Sequence, residues 1–254
     1  IDRYVADGSS YAMVDKLGKG SFAKLKEKVK DRLFEIANDI IKLAAARELV
    51  NGIKINTDKK ILEDFQKSAG FDYTKDQKRS IKEIFADLSS GRVMDRLLSG
   101  DVGFGKTEVA MNAMLAVILD GFQTIFVCPT TLLATQHYHS MQKRFSEFGI
   151  NIAKLDGKTS AKEKTAIKKG LENGDIKIVI GTHSLLDIKT DNLALVIIDE
   201  EHKFGVKQKE KLKHLREDVH IFSMSATPIP RTLNLALSKL KGMSSLLTPP
   251  SERL

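Results

Sequence analysis

Gly100-Asp101-Val102-Gly103-Phe104-Gly105-Lys106-Thr107 matches G-x-x-x-x-G-K-[ST] at every fixed position. The glycines Gly100, Gly103 and Gly105 let the backbone turn tightly, so that amide N–H groups face an anion, and the following helix adds its positive N-terminal end. The whole loop, Phe104 included, would line a nucleotide. Lys106 would reach the β- and γ-phosphates, and the Thr107 hydroxyl would bind Mg²⁺. A second stretch, Val196-Ile197-Ile198-Asp199-Glu200-Glu201-His202, is an apolar run ending in acids. Asp199 would hold Mg²⁺ through its water shell, and Glu200 is placed to orient or deprotonate an attacking water. A Gly-rich turn can be merely structural and an acidic triplet merely solvated; context decides against both. The chemistry is binding of ATP with Mg²⁺ and transfer of its terminal phosphoryl group to water.

Such a loop needs a strand before it and a helix after it. Met94 to Leu98 is a short apolar run suited to a buried strand, and Thr107 to Leu119 is apolar at helical spacing. Downstream, strands are predicted at Gln123–Cys128, Ile152–Leu155, Ile176–Ile180, Leu193–Ile198 and His220–Met224. Helices are predicted between them at Leu132–Phe145, Ser160–Leu171 and Lys207–Leu215, and after them at Pro230–Leu240. This order predicts an α/β fold, a parallel sheet with helices on both faces and ligands beyond the carboxyl ends of the strands. Upstream, helices are predicted over Lys59–Lys67 and from Thr74 to about Leu88. Thr74-x-x-Gln77 has capping-box spacing. Gln77 either caps that helix or reads an adenine edge, since its amide offers both a donor and an acceptor.

Residues 1 to 15 read as the tail of a preceding domain and a linker. From Ser21, Leu25, Val29, Leu33, Ile36, Ile40 and Leu43 keep helical spacing until Asn51-Gly52 stops the pattern. A helix of about thirty residues would be on the order of 45 Å long and is expected to bridge two domains. Its lysine-rich face is read as solvated rather than as a DNA contact. An opening at Ile1 and an end just after Pro249-Pro250 suggest a piece of a longer protein. The formal net charge of +8 at pH 7 favours a polyanionic partner, although spread lysines serve solubility equally well. Lone Cys128 excludes an internal disulfide and a cysteine metal cluster and suits a reducing cytosol. No apolar run is long enough to span a bilayer, so neither a membrane nor a secreted location is expected.

Asp199-Glu200-Glu201-His202, with Ser225-Ala226-Thr227 after the next strand, resembles the DExH-type superfamily 2 helicases and translocases. The resemblance implies a RecA-like motor lobe and assigns further residues. Phe71 and Gln77 look like the adenine-recognition element of that superfamily. Pro129 to Ala134 and Gly181-Thr182-His183 look like its nucleic-acid contacts, with Thr130, Thr131, Thr182 and His183 on the phosphate-sugar backbone, which carries no base information. The same threonines would serve as ordinary N-caps. His202, Ser225 and Thr227 resemble the residues that couple the γ-phosphate site to the nucleic-acid motifs; His202 also borders the nucleotide. Within the superfamily, Gly100–Ala110, Pro129–Tyr138, Asp199–Val206 and Ala226–Ala236 resemble the bacterial transcription-repair-coupling factors. The fork-reversing RecG helicases are the runner-up; Phe104 and Glu201 favour the first. Ser225, where Thr is common, and Lys203, where Arg is common, are the small departures.

The resemblance implies that residues 1–58 are linker and long helix after an upstream domain, and that 59–254 are the first RecA-like lobe of a double-stranded-DNA translocase. It implies a monomeric piece of a cytoplasmic parent that displaces stalled RNA polymerase and recruits the excision-repair protein UvrA. A small-molecule kinase would lack the motifs at Pro129 and Gly181, and a vestigial binding module would not retain Lys106, Thr107, Asp199 and Glu200 together. In this superfamily an arginine from a second lobe stabilises transition-state charge, an effect of about 10³-fold or more in rate. Residues 1–254 alone are therefore expected to bind nucleotide weakly and hydrolyse almost none. Steady-state ATPase measured with and without duplex DNA checks this, and DNA-stimulated turnover at the parent's rate would refute it.

Overall fold

The computed structural model describes Glu27 and residues 50–188, 190–204, 218–226 and 241–250. The expected helices over 207–215 and 230–240, nearly all of the one over 21–50, and Thr227 lie outside the described residues. The chain divides into two units, Ile1–Leu43 and Ala44–Leu254.

The strands of the second unit are short: β1 (Asp95–Gly100), β2 (Gln123–Val127), β3 (Ile152–Leu155), β4 (Ile178–Gly181), β5 (Leu193–Asp199), β6 (His220–Ser225) and β7 (Gly242–Leu246). They form one sheet in the order β3-β4-β2-β5-β6-β1-β7, and every pairing is parallel. Between them run α1 (Lys60–Lys67), α2 (Lys75–Ser89), α3 (Lys106–Leu119), α4 (Thr131–Ser146) and α5 (Ala161–Glu172). All six strands predicted from the sequence are present. The seventh, β7, was not anticipated because Gly-Met-Ser-Ser-Leu has little apolar content and only partial burial. Tertiary contacts hold it. The Arg96 guanidinium on β1 donates to Asp87 and Glu83 of α2 and to Ser244 Oγ of β7, at 2.7, 3.1 and 2.8 Å.

Alternation along the central strands splits the core in two, as a pleated sheet covered on both faces requires. Phe126, Ile178, Ile180, Leu195, Ile197, Phe222 and Met224 pack with α3, while Ile125, Val127, Val179, Val196, Ile198 and Ile221 pack with Ile167 and Leu171 of α5. The α3 sequence has no polar stripe after Asn112, and Val109 to Ile118 is buried throughout. That is the pattern of a helix enclosed on all sides. Its neighbours α1 and α2 supply Leu62, Phe65, Ile81, Ile84 and Leu88 to the same core. Capping boxes start α2 at Thr74/Gln77 and α5 at Ser160/Glu163. No helix among the described residues is long and apolar enough to cross a membrane.

The segment before α1 packs on the lobe. Ile55 is fully buried, and its N–H donates to the Leu88 carbonyl at 2.9 Å. His220, at the start of β6, is also fully buried: Nδ1 accepts from the Met94 N–H at 2.9 Å and Nε2 lies 2.7 Å from the Ile53 carbonyl. This pairing requires a neutral ring with its proton on Nε2. Burial holds the His220 pKa below the usual imidazole value, outweighing the opposite pull of the Ile53 carbonyl and of Asp218 and Asp87. With the folded pKa below the unfolded one, the His220 contribution is complete above about pH 6.5 and is lost as pH falls through the folded value. Melting temperature should therefore fall as pH drops below about 6.5, and H220Q, whose amide can both accept and donate, should flatten that slope in a calorimetric pH series.

Candidate active site

The parallel pairing aligns the carboxyl ends of the strands: Ser99 lies opposite Ser225, Asp199 opposite Met224, and Val127 opposite both Ile198 and Gly181. Every predicted site residue except Phe71 and Gln77 follows, or closes, one of these ends. After β1 the loop turns through Gly103 (φ 79°) and Gly105 (φ 82°) into α3. Lys106, the first residue of α3, is buried and its ammonium donates to the Gly100 and Asp101 carbonyls at 2.7 and 3.0 Å. Burial lowers its pKa, while the negative charges of Glu200, Asp199 and Asp101 oppose that shift. The lysine thus stands within the field of both predicted acids.

The Gln77 amide is bonded within the fold at both ends. Oε1 accepts from the Thr74 N–H at 2.9 Å, closing the capping box, and Nε2 donates to the Phe104 carbonyl at 2.9 Å. A Cβ on Gly105 would lie 2.3 Å from that Nε2. Gln77 therefore braces the phosphate loop from behind. Phe71 is 37 % exposed and tilts against Tyr73, with ring centroids 5.5 Å apart. Tyr73 donates to Glu108 in the first turn of α3. Glu108 Oε1 also accepts from Arg144 of α4 at 2.8 Å, and Arg144 lies over the Phe65 ring, 4.0 Å from its centroid. Burial first, then the Glu108 charge, pushes the Tyr73 hydroxyl pKa far up, so it remains a neutral donor.

Asp199 closes β5 and is buried. Glu200 follows with φ 53° and ψ 50°, the only non-glycine residue at positive φ among those described. That left-handed conformation costs roughly 1–3 kcal/mol and persists only where the surroundings dictate it. They do so here. The Glu200 N–H donates to the Met224 carbonyl at 2.9 Å, and Oε1 accepts from the Ala226 N–H at 3.2 Å. Oε2 lies 3.2 Å from His202 Nδ1. The acidic stretch, His202 and the end of β6 are thus joined through one carboxylate. Ser225 is buried beside them.

Thr130 is the N-cap of α4, its hydroxyl accepting from the Leu133 N–H at 3.3 Å. Thr131 is exposed at the first helical position. Thr182 occupies the N-cap position of a 3₁₀ turn, His183–Asp187, without a side-chain capping bond. It is buried, with its hydroxyl 3.5 Å from Ser184 Oγ, while His183 is exposed. Capping thus accounts for Thr130 but not for Thr182. Across the sheet the order runs Thr182 (β4), Thr130 (β2), Asp199 and Glu200 (β5), Ser225 (β6) and the phosphate loop (β1), with no strand interposed. Sequence reasoning missed His137 on α4, whose Nε2 lies 3.1 Å from Asp199 Oδ2. Its signal was the inward spacing of Ala134, His137, Met141 and Phe145.

A parallel sheet with a glycine loop, buried lysine and paired acids at its carboxyl edge defines a RecA-like nucleotide-binding lobe. A family model described as DEAD/DEAH box helicase matches residues 74–236, and the chain belongs to that family. It is 57% identical over 253 residues to the transcription-repair-coupling factor of Helicobacter pylori (strain J99), covering 100% of this chain and 25% of that protein. It is 42% identical to that of Bacillus subtilis, covering 100% and 22%. The chain thus spans about a quarter of the length of these relatives. Among solved structures, RecG bound to a three-way DNA junction matches with TM-score 0.75 and 42% identity, over 91% of this chain and 31% of that one.

The left-handed turn at Gly105 and the Gln77 brace generate a test. G105A places a Cβ where L-residues are strained by roughly 1–2 kcal/mol and drives Gln77 off the Phe104 carbonyl. Nucleotide affinity, read by fluorescence titration, should fall about tenfold or more, since each 1.4 kcal/mol is a factor of ten.

Proposed function

We propose that this chain is the ATP-hydrolysing lobe of a double-stranded-DNA translocase of the transcription-repair-coupling type. The observation that carries the reading is Lys106, Asp199 and Glu200 gathered at one sheet edge, beside the start of α4. In this reading the loop amides and Lys106 hold the β- and γ-phosphates, Phe71 and Gln77 border the adenine, and Thr107 and Asp199 face Mg²⁺. Among the described residues no three His, Cys, Asp or Glu side chains gather into a metal cage. Water and phosphate oxygens would therefore complete the shell of Mg²⁺, as that ion prefers. The hydroxyl, the carboxylate and the adjacent phosphate loop are a donor set that suits it. When bound, the ion neutralises charge on the phosphates.

Glu200 orients the attacking water and accepts its proton. Its bonds to Ala226 and His202 give a path by which the state of the nucleotide reaches the end of β6 and Thr227. Thr130, Thr131, Thr182 and His183 grip one strand of DNA through its phosphates, and the charge of +8 favours the same partner. Residues 1–58 serve as linker and helix, and 59–254 as the lobe. The full-length chain, cytoplasmic in this reading, pushes on stalled RNA polymerase and recruits UvrA, and residues 1–254 alone are monomeric. Identity of 57% along the whole chain to a named coupling factor supports this choice. Fork reversal is the second reading, favoured by the 42% identity to RecG.

In the natural full-length chain, E200Q should leave nucleotide affinity within about threefold while lowering hydrolysis by a factor on the order of 10² or more, the usual worth of a positioned base. ATP-dependent release of RNA polymerase from a stalled elongation complex by wild type, and not by E200Q, is the expected outcome. No release together with ATP-driven reversal of a model fork would select the RecG-type reading.

A further inference from the structure

His137 lies one turn beyond the Pro129–Ala134 stretch expected to meet nucleic acid, and its ring turns inward. The side chain is 16% exposed and tilts against Phe126 at 4.9 Å between ring centroids, and Phe126 is fully buried in the sheet. With one side of the imidazole held in this way, Nε2 is directed at Asp199 Oδ2, 3.1 Å away. The contact joins residues 62 positions apart in the chain and is the polar side-chain link between α4 and the acidic end of β5. Asp199 is only 7% exposed, and a carboxylate so placed needs a donor. The same helix begins at Thr130 and Thr131, about 9 Å from His137 along its axis at 1.5 Å per residue.

We propose that His137 is a positioning residue. It orients the Asp199 carboxylate for Mg²⁺-nucleotide and carries displacement of the α4 N-terminus, where DNA phosphate would bind, to that carboxylate. The inference rests on the nucleotide-hydrolysing reading of the site. It adds a route from the DNA edge to the metal side of the site, separate from the one that runs from Glu200 to the end of β6. Within one helical segment of under two turns between Thr131 and His137, there is little slack to absorb such a displacement. Groups that orient a metal-binding side chain typically contribute 10–100-fold to metal affinity.

The test uses the natural full-length chain as wild type, H137A, H137L and H137Q. H137L keeps apolar packing on Phe126 without a donor, and H137Q supplies an amide N–H. Two quantities are read: the Mg²⁺ concentration giving half-maximal binding of a fluorescent non-hydrolysable ATP analogue, and the ratio of ATPase with duplex DNA to ATPase without it. H137A and H137L should raise the Mg²⁺ midpoint about tenfold and cut the DNA ratio at least fivefold, with H137Q within about threefold of wild type on both. If H137A does not fold, H137L carries the comparison. Wild-type values in H137L overturn the proposal. Equal losses in H137L and H137Q also overturn it, because they would mark a packing role only. Failure of the underlying reading looks different: wild type itself would then show no Glu200-dependent, DNA-stimulated hydrolysis.

Discussion

All strand pairs in the sheet run parallel, and the rest of the site depends on that constraint. Parallel neighbours need crossover connections, and because the strands run the same way every carboxyl end lies at the same edge. Loops that leave this edge can therefore meet although they lie far apart in the chain. Gly100, Val127, Gly181, Asp199 and Ser225 all close strands there. The nucleotide half of the edge covers β1, β6 and β5, and the half proposed for DNA covers β2 and β4. The boundary between the halves is the β2–β5 pairing, where Phe126 lies opposite Ile197.

Charge buried at that edge is balanced locally. Lys106 donates hydrogen bonds to two backbone carbonyls, and the acids near it oppose the shift that burial imposes. Glu200 is held in a strained conformation by the Met224 carbonyl and the Ala226 amide. A carboxylate so constrained cannot swing away to solvent freely. In the proposed hydrolysis that restraint would preorganise it toward the attacking water, the arrangement that makes electrostatic catalysis effective.

Behind the loop, two brackets hold the start of α3. Gln77 ties the Phe104 carbonyl to the first turn of α2, and Tyr73, Glu108 and Arg144 join the segment before α2 to α3 and α4. Both brackets use polar side chains within an apolar layer, so each is worth most when complete. Tyr73 stays protonated by burial and the neighbouring acid, which preserves the donor that the second bracket requires. The segment from Phe71 to Gln77 is thereby anchored to the same helix that carries Lys106.

Local patterns in the sequence determined the elements. Apolar runs of four to seven residues, a glycine-lysine-threonine loop and capping residues depend on neighbours close in the chain, so six strands, five helices and the identity of Lys106, Asp199 and Glu200 were legible without coordinates. What depends on distant partners was not. β7 has no apolar signature and is held by Arg96 and Ser244. The bond from the Gln77 amide to the Phe104 carbonyl, at 2.9 Å, joins residues 27 positions apart. His137 was not singled out, and only its contacts with Phe126 and Asp199, far off in the chain, bring it to the site. The division follows from range: periodicity and turn chemistry act over a few residues, whereas the direction of a side chain within a core is set by contacts tens of residues away.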